Sequence, residues 1–407
     1  MDVAKPKPRL AVVSPYLDKR HGTERRVVEW ISRLTGSFEI HVYSQRVEDV
    51  DLDKITWHRI PKIPGPHLLN YIWWFAANHL WRVWNRRFRR LPPDIVFSPG
   101  INCLDADLIS VHVVFAEYAL SAADDLRLRT HPVSLWPQLL HRKLYYRLIT
   151  SLERRIYRNP ETVLILIARK TARQLDRYFG RRKPCPVIYL GLDHDLFNPQ
   201  RRASLREKAR NELGYSGNRF VVLLIGNHWS NKGLPVLLRA LEALRDLPVD
   251  VLAAGREDPA QYEALIRERG LDRRVQFKQP RADVEFFYAA ADAYAGPSLE
   301  DTFAQPPAEA MACGLPVIVS SVNGASEIIT NGNDGLILDD PRDSISLAAM
   351  IRTLYENESS RTQLAQNAAE TARKYTWERN ARELAAILEE VARKKSHLAP
   401  DTLVQES

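Results

Sequence analysis

What most constrains this chain is the alternation, over nearly its whole length, of short apolar runs with longer amphipathic stretches. In the second half the runs at 219–226, 249–254, 275–278, 293–295, 317–320 and 335–338 are separated by helical patterns such as 261–269 and 283–290. A strand that returns to its sheet through a helix must pair parallel, so alternation at this spacing predicts a doubly wound parallel sheet. The first half repeats the pattern. Runs at 9–15, 39–44, 56–60, 94–99, 107–113, 163–167 and 187–190 alternate with helices over 135–158 and 170–179 and with one carrying Val27, Val28, Ile31 and Leu34 at helical spacing. With 407 residues and 45% hydrophobic content the chain can bury two separate cores. The expected organisation is therefore one α/β domain over 1–192 and a second over 193–380, joined near Gly191-Leu192-Asp193, with a C-terminal helix and polar tail over 381–407.

Composition removes several classes of function. Cys103, Cys185 and Cys313 lie far apart without metal-ligand spacing, which predicts a reducing compartment, the cytoplasm, rather than a disulfide framework. The first apolar run is too short for a secretory signal, and no stretch approaches the roughly eighteen uninterrupted apolar residues of a membrane span. The net charge of +8 suits an anionic partner, yet no zinc-finger, helix-turn-helix or RNP pattern accompanies it, so no nucleic-acid partner is expected. An anionic membrane surface is a different matter. Residues 68–90 hold Trp73, Trp74, Trp81 and Trp84 and end in Arg86, Arg87, Arg89 and Arg90, and 135–158 carries Arg142, Lys143, Arg147, Arg154, Arg155 and Arg158 against the single acid Glu153. Such segments lie on headgroups as a peripheral anchor, or they pack an aromatic stripe on a sheet and leave a solvated basic face. Both readings stand at this point.

The chemistry concentrates in two loops of the second half. After the run ending at Ala295, Gly296-Pro297 stops the strand, Glu300-Asp301 follow, and Pro306-Pro307 open a short helix that Gly314 ends. Glu309 is expected in the first helical turn, where a carboxylate is either a helix-capping acid or, with Asp301 on the other side of seven intervening residues, part of a site. The second loop runs from Gly226, at the end of a buried strand, to Lys232-Gly233 at the start of a helix, where a cation and backbone amides suit a diphosphate. In the first half, His21-Gly22 precedes a helix with Thr23 as its N-cap, and His112 ends a strand. Either could face a ligand, or be a turn glycine and a core histidine.

Read together, Pro297-Ser298 through Phe303 and then Glu309-Ala310-Met311-Ala312-Cys313-Gly314-Leu315-Pro316-Val317-Ile318 resemble the signature of the retaining nucleotide-sugar glycosyltransferases of the glycogen-synthase-like group, family 4 or group 1. The resemblance spans roughly 9–392. It implies the GT-B fold, two Rossmann-like doubly wound domains facing a central cleft, with the C-terminal helix crossing back onto the first. It implies a nucleoside-diphosphate sugar as donor and a glycan, lipid-linked or small-molecule acceptor, as in polysaccharide or lipopolysaccharide biosynthesis. No cofactor and no metal are expected, in keeping with the lack of a D-x-D motif at a strand end.

By the same resemblance Lys232, with Gly226 and the amides around Phe303 and Ala304, meets the diphosphate. Glu309 holds the ribose hydroxyls, Asp301 or Glu300 the donor sugar, and Glu327 lies beside the donor. Gly22 lines the cleft, and His112 meets donor sugar or acceptor. The chain departs from the family pattern at Asn227, usually arginine, at Ala304, usually glycine, and at Leu190, usually asparagine. Fold does not fix function, so a nucleotide-sugar epimerase or hydrolase on the same fold stays open, and the departures keep open a binding protein without catalysis.

Overall fold

The computed structural model describes residues 7–19, 22–89, 92–121, 132–215 and 217–398, so His21 and Arg90 fall outside it. The chain divides into two units, one running to Tyr189 and resuming at Trp377, the other Leu190–Thr376. The boundaries thus fall at 190 and 377, against the 193 and 381 read from sequence.

The first unit contains β1 (Arg9–Val13), β2 (Tyr16–Leu17), α1 (Gly22–Leu34), β3 (Glu39–Ser44), β4 (Arg46–Val47), β5 (Thr56–Arg59), α2 (His67–Phe88), β6 (Ile95–Pro99), β7 (Leu108–Val111), α3 (Phe115–Ser121), α4 (Trp136–Tyr157), β8 (Val163–Leu166) and α5 (Lys170–Phe179). Its main sheet has the order β5-β3-β1-β6-β7-β8, and all its pairings are parallel. β2 and β4 form a separate ribbon. The strands read as continuous apolar runs because both faces are covered. Val27, Trp30 and Ile31 of α1 pack on one face together with Leu384 and Leu388 of the C-terminal helix, while Trp74, Tyr157 and Leu175 cover the other. The expected strand at 187–190 is reduced to a single bridge between Leu166 and Val187. Pro184 and Pro186 lack the N–H groups that a longer ladder needs.

The second unit contains α6 (Pro199–Leu213), β9 (Phe220–Ile225), α7 (Leu234–Glu242), β10 (Val249–Ala254), α8 (Ala260–Glu268), β11 (Val275–Lys278), α9 (Glu285–Ala290), β12 (Ala293–Gly296), α10 (Gln305–Ala312), β13 (Val317–Ser320), β14 (Leu336–Leu338), α11 (Ser344–Glu356) and α12 (Glu358–Ala372). The parallel sheet has the order β11-β10-β9-β12-β13-β14. In both sheets the winding reverses direction beside the first strand, between β1 and β6 and between β9 and β12. A crevice opens outside the carboxyl ends of the strands at such a reversal. α13 (Trp377–Leu398) closes the chain and belongs to the first unit.

Two helices depart from the usual apolar-inside pattern. α6 buries arginines: Arg202 donates to the Ala291 carbonyl at 2.8 Å and Arg210 to that of Ala290 at 3.2 Å, satisfying carbonyls at the end of α9. α2 is polar inside. Arg82 forms a two-pronged pair with Asp105 at 2.6 and 2.8 Å, Asn78 donates to the Asn102 carbonyl, and Asn85 donates to the Tyr43 hydroxyl. Of the four tryptophans of the aromatic stripe, only Trp74 therefore packs on the sheet, since Trp73, Trp81 and Trp84 are exposed.

Candidate active site

The two loops at the switch point of the second sheet meet. After β9 the chain passes Gly226, whose missing side chain makes room for the Lys232 stem: a Cβ there would lie 2.7 Å from Lys232 Cγ. Trp229 anchors the loop between them, fully buried in the core, and its amide donates to the Glu257 carboxylate. Gly233 then caps α7 with φ of +85°, and a Cβ at this position would come within 2.0 Å of the Pro297 carbonyl oxygen. Only glycine allows this backbone to touch the loop after β12.

That second loop is tied to the first by its main chain. Leu299 donates to the Asn231 carbonyl at 2.7 Å, and the Asn231 side chain donates to the Glu300 carbonyl at 2.8 Å. The Lys232 ammonium is ion-paired with the Asp301 carboxylate, both side chains mostly buried. An ammonium has three N–H donors, and one carboxylate contact does not exhaust them. The site presents a cation packed over a glycine with a carboxylate beside it, and this suits a polyanion whose neighbouring part carries hydroxyls.

Asn323 organises the far side. Its side-chain oxygen accepts from Ala304 N at 3.3 Å and from Ala325 N at 3.0 Å, while Gly324 N donates to the Asp301 carbonyl at 3.1 Å. It thereby caps the 3-10 turn Gly324–Ile328, which carries Glu327. The expectation for the amides changes accordingly. The Ala304 N–H is engaged by Asn323, and Pro306 and Pro307 have none, so the start of α10 offers fewer donors than a helix ordinarily does.

Glu309 also sits differently than expected. α10 begins at Gln305, so Glu309 is beyond its first turn, and the first-turn dipole argument does not apply. Its carboxylate is buried, 6% exposed, and accepts from the Tyr288 hydroxyl at 2.8 Å. Burial, and then the Glu309 charge, hold the Tyr288 hydroxyl well above the usual phenol range, so it remains a donor. Tyr288 and Asn231 carried no sequence signal of their own; both hold site residues through contacts distant in sequence. Asn227 is exposed at the loop tip, Glu300 is partly exposed, and Phe303 is buried.

Gly22 and His112 belong to the first unit. Gly22 is the first residue of α1, so Thr23 lies inside the helix rather than capping it. His112 follows β7 and is 9% exposed, and its Nε2 has no hydrogen-bond partner among the described residues. No cluster of three or more His, Cys, Asp or Glu side chains able to hold a metal occurs among the described residues. Nor is any described helix long and apolar enough to cross a membrane.

Two parallel doubly wound units, each with its loops at the switch point, define the GT-B class of two-domain α/β proteins. The glycosyl transferases group 1 model matches residues 206–371 and the glycosyltransferase family 4 model residues 20–196. The chain belongs to this group 1 and family 4 glycosyltransferase family. Among curated relatives, the D-inositol 3-phosphate glycosyltransferase of Corynebacterium urealyticum is 29% identical over 58% of this chain and 58% of its own length. That of Nocardioides sp. is 34% identical over 48% of this chain and 46% of its own. The matched region thus spans about half the length of these relatives. Among solved structures, WaaG, a glycosyltransferase involved in lipopolysaccharide biosynthesis, superposes with a TM-score of 0.74 at 20% identity, covering 93% of this chain and 99% of that one. Anabaena Alr3699/HepE, solved in complex with UDP-glucose, gives 0.68 at 21% identity, covering 94% and 99%. At such identities these structures speak for the fold.

Proposed function

We propose that this protein transfers a sugar from a nucleoside-diphosphate sugar to an acceptor, retaining the anomeric configuration and using no bound metal. The observation that carries the reading is the convergence of Lys232 and Asp301 over Gly226 at the switch point of the second sheet. Breaking the bond between sugar and diphosphate leaves negative charge on the diphosphate, and a preorganised cation lowers the barrier by stabilising that charge. Lys232 takes this role. Asp301, beside it, and Glu300 face the sugar hydroxyls, and Glu309, oriented by Tyr288, accepts from the ribose. The UDP-glucose complex of the Anabaena neighbour supports a nucleotide sugar as donor. The names of the curated relatives support a phosphorylated polyol among the acceptors to be tried.

The acceptor side of the reading includes an anionic membrane surface. The outward face of α2 presents Trp81, Trp84 and Phe88, the last 69% exposed, beside exposed Arg86, Arg87 and Arg89. Trp136, Leu140 and Leu144 of α4 are exposed as well, and the two helices touch through Tyr71 and Tyr145. Aromatic side chains at headgroup depth with arginines among them match an anionic bilayer.

Incubation with a panel of nucleotide sugars, with and without candidate acceptors and with a chelator control, tests the reading. Donor consumption that depends on acceptor, survives chelation and yields a product of the donor's anomeric configuration supports it. Turnover without acceptor indicates an epimerase or hydrolase, and donor binding without any turnover a binding protein.

A further inference from the structure

A third loop of the second unit, the one after β10, closes against the loop that carries Lys232. Gly255 follows the strand, and a Cβ there would lie 1.9 Å from the Gly226 carbonyl oxygen and 2.8 Å from Trp229 Nε1, so only glycine lets the two loops meet. Glu257 stands two residues further on. One of its oxygens accepts from the Trp229 amide, and the other accepts from the Gln261 side chain at 2.9 Å and from the Tyr262 hydroxyl at 3.2 Å. Burial, and then the Glu257 charge, raise the Tyr262 hydroxyl to about 12, so it stays a donor. An acid just before a helix is ordinarily a solvated residue, and the partners in the first turn of α8 fit that role. The bond to Trp229 does not, because it leaves α8 and crosses to a main-chain group of the neighbouring loop.

Trp229 fixes the course of the chain from His228 to Leu234. Its ring is fully buried, 4.9 Å from the Phe277 ring and 6.0 Å from that of Tyr262. Its carbonyl accepts from Leu234 N at 2.9 Å, the His228 carbonyl from Lys232 N at 2.9 Å and the Ser230 carbonyl from Gly233 N at 3.3 Å. Lys232 therefore stands in a turn wound around Trp229, and Glu257 ties the main chain of that turn to the loop after β10.

We propose that Glu257 is a positioning residue for the transfer: it holds the Trp229 amide, and through it sets where the Lys232 ammonium meets the donor diphosphate. The proposal rests on the glycosyl-transfer reading above, in which Lys232 takes the diphosphate. A carboxylate suits the task because its two oxygens accept from three donors at once, one in the lysine loop and two on α8. A misplacement of about 1 Å in a group that must meet developing charge costs on the order of 10²-fold in rate, so the anchor of the loop matters as well as the lysine.

The test uses the full-length protein, with calorimetric titration of uridine diphosphate as probe and hydrogen exchange in the ligand-free chain. Glu257→Met, unbranched and similar in length but without an acceptor, should weaken uridine diphosphate about tenfold. Lys232→Ala should weaken it at least as much. Adding Glu257→Met to Lys232→Ala should then cost less than about a further twofold, because the acid acts through the lysine. Glu257→Gln should stay within about threefold of the parent, since its amide oxygen still accepts from Trp229 while Gln261 and the Tyr262 hydroxyl reverse their roles. Without ligand, Glu257→Met should speed exchange of the amides over 228–234, and Glu257→Gln should not. Arg202→Met removes bonds to carbonyls at the end of α9 and controls for lost stability: it should lower the melting temperature and leave uridine diphosphate affinity unchanged. Unchanged affinity in Glu257→Met, a full tenfold added to Lys232→Ala, or an equal loss in Arg202→Met overturns the proposal. If the parent does not bind uridine diphosphate, or Lys232→Ala leaves binding intact, the donor assignment is what fails. Exchange over 228–234 then decides alone whether Glu257 holds the turn: faster exchange in Glu257→Met upholds it, and unchanged exchange overturns it.

Discussion

Two sets of buried polar groups, one in each unit, are treated in opposite ways. In the second, Lys232 is answered by Asp301, Glu309 by Tyr288 and the Ala304 amide by Asn323. In the first, Arg26, Ser110 and His112 have buried atoms without partners among the described residues, and α2 turns aromatic side chains outward while burying Arg82 and Asn85. A site whose members hold one another is preorganised before its ligand arrives, and its catalytic benefit comes from not having to reorganise.

Four measurements test this contrast. The largest effect is expected at the preorganised pair. Lys232→Ala should lower kcat by about 10²–10³-fold, roughly 3–4 kcal/mol of barrier, with little change in melting temperature. Combining it with Asp301→Asn should cost less than the two single effects added, because the residues act as a unit. Activity within about threefold of the parent, well under 1 kcal/mol, would remove Lys232 from the diphosphate.

The next effect concerns Glu153 in the first unit. It accepts from the amides of Phe115 and Ala116 at 2.7 and 2.9 Å, yet burial outweighs these bonds and raises its carboxyl from 4.5 to about 7. The folded chain therefore prefers the protonated form. Its contribution to stability is full below about pH 4.5 and is lost as pH rises through about 7, by a few kcal/mol at most. Thermal melts between pH 5 and 8 should show a downward slope in the parent that Glu153→Gln flattens; identical slopes would show that the carboxyl does not titrate in this window.

Nucleotide affinity should respond more modestly. Glu309→Gln should weaken a free nucleoside diphosphate about tenfold, about 1.4 kcal/mol, and Tyr288→Phe about threefold, since the latter removes only the group that orients the carboxylate. Calorimetric titration decides this, and an intact affinity in Glu309→Gln would move the ribose contact elsewhere. The smallest effect per substitution is on the membrane face. The protein should sediment with anionic but not neutral vesicles and be released by salt, and each of Arg86→Ala, Arg87→Ala and Arg89→Ala should weaken it about fivefold, near 1 kcal/mol. Equal behaviour with both vesicle types would leave the exposed tryptophans without a bilayer to meet.

The alternation of strands and helices, hence two parallel sheets, was legible in the amino-acid order, because a buried strand and its crossover helix each leave a local apolar pattern. That order also placed Gly226, Lys232 and Asp301 in two loops, since glycine after a strand and a charge at a helix start are local signals as well. Other features were decided by the tertiary structure. α6 went unread although Asn198, Pro199 and Gly214 mark its ends, because it docks through Arg202 and Arg210 onto carbonyls rather than through an apolar stripe. The start of α10, and with it the position of Glu309, depended on how Ala304 meets Asn323, a contact between residues 19 apart. That Nε and Nη1 of buried Arg26 lack a partner among the described residues could not be read at all. A lack of partners belongs to the whole environment of a side chain, and only the assembled fold supplies that environment.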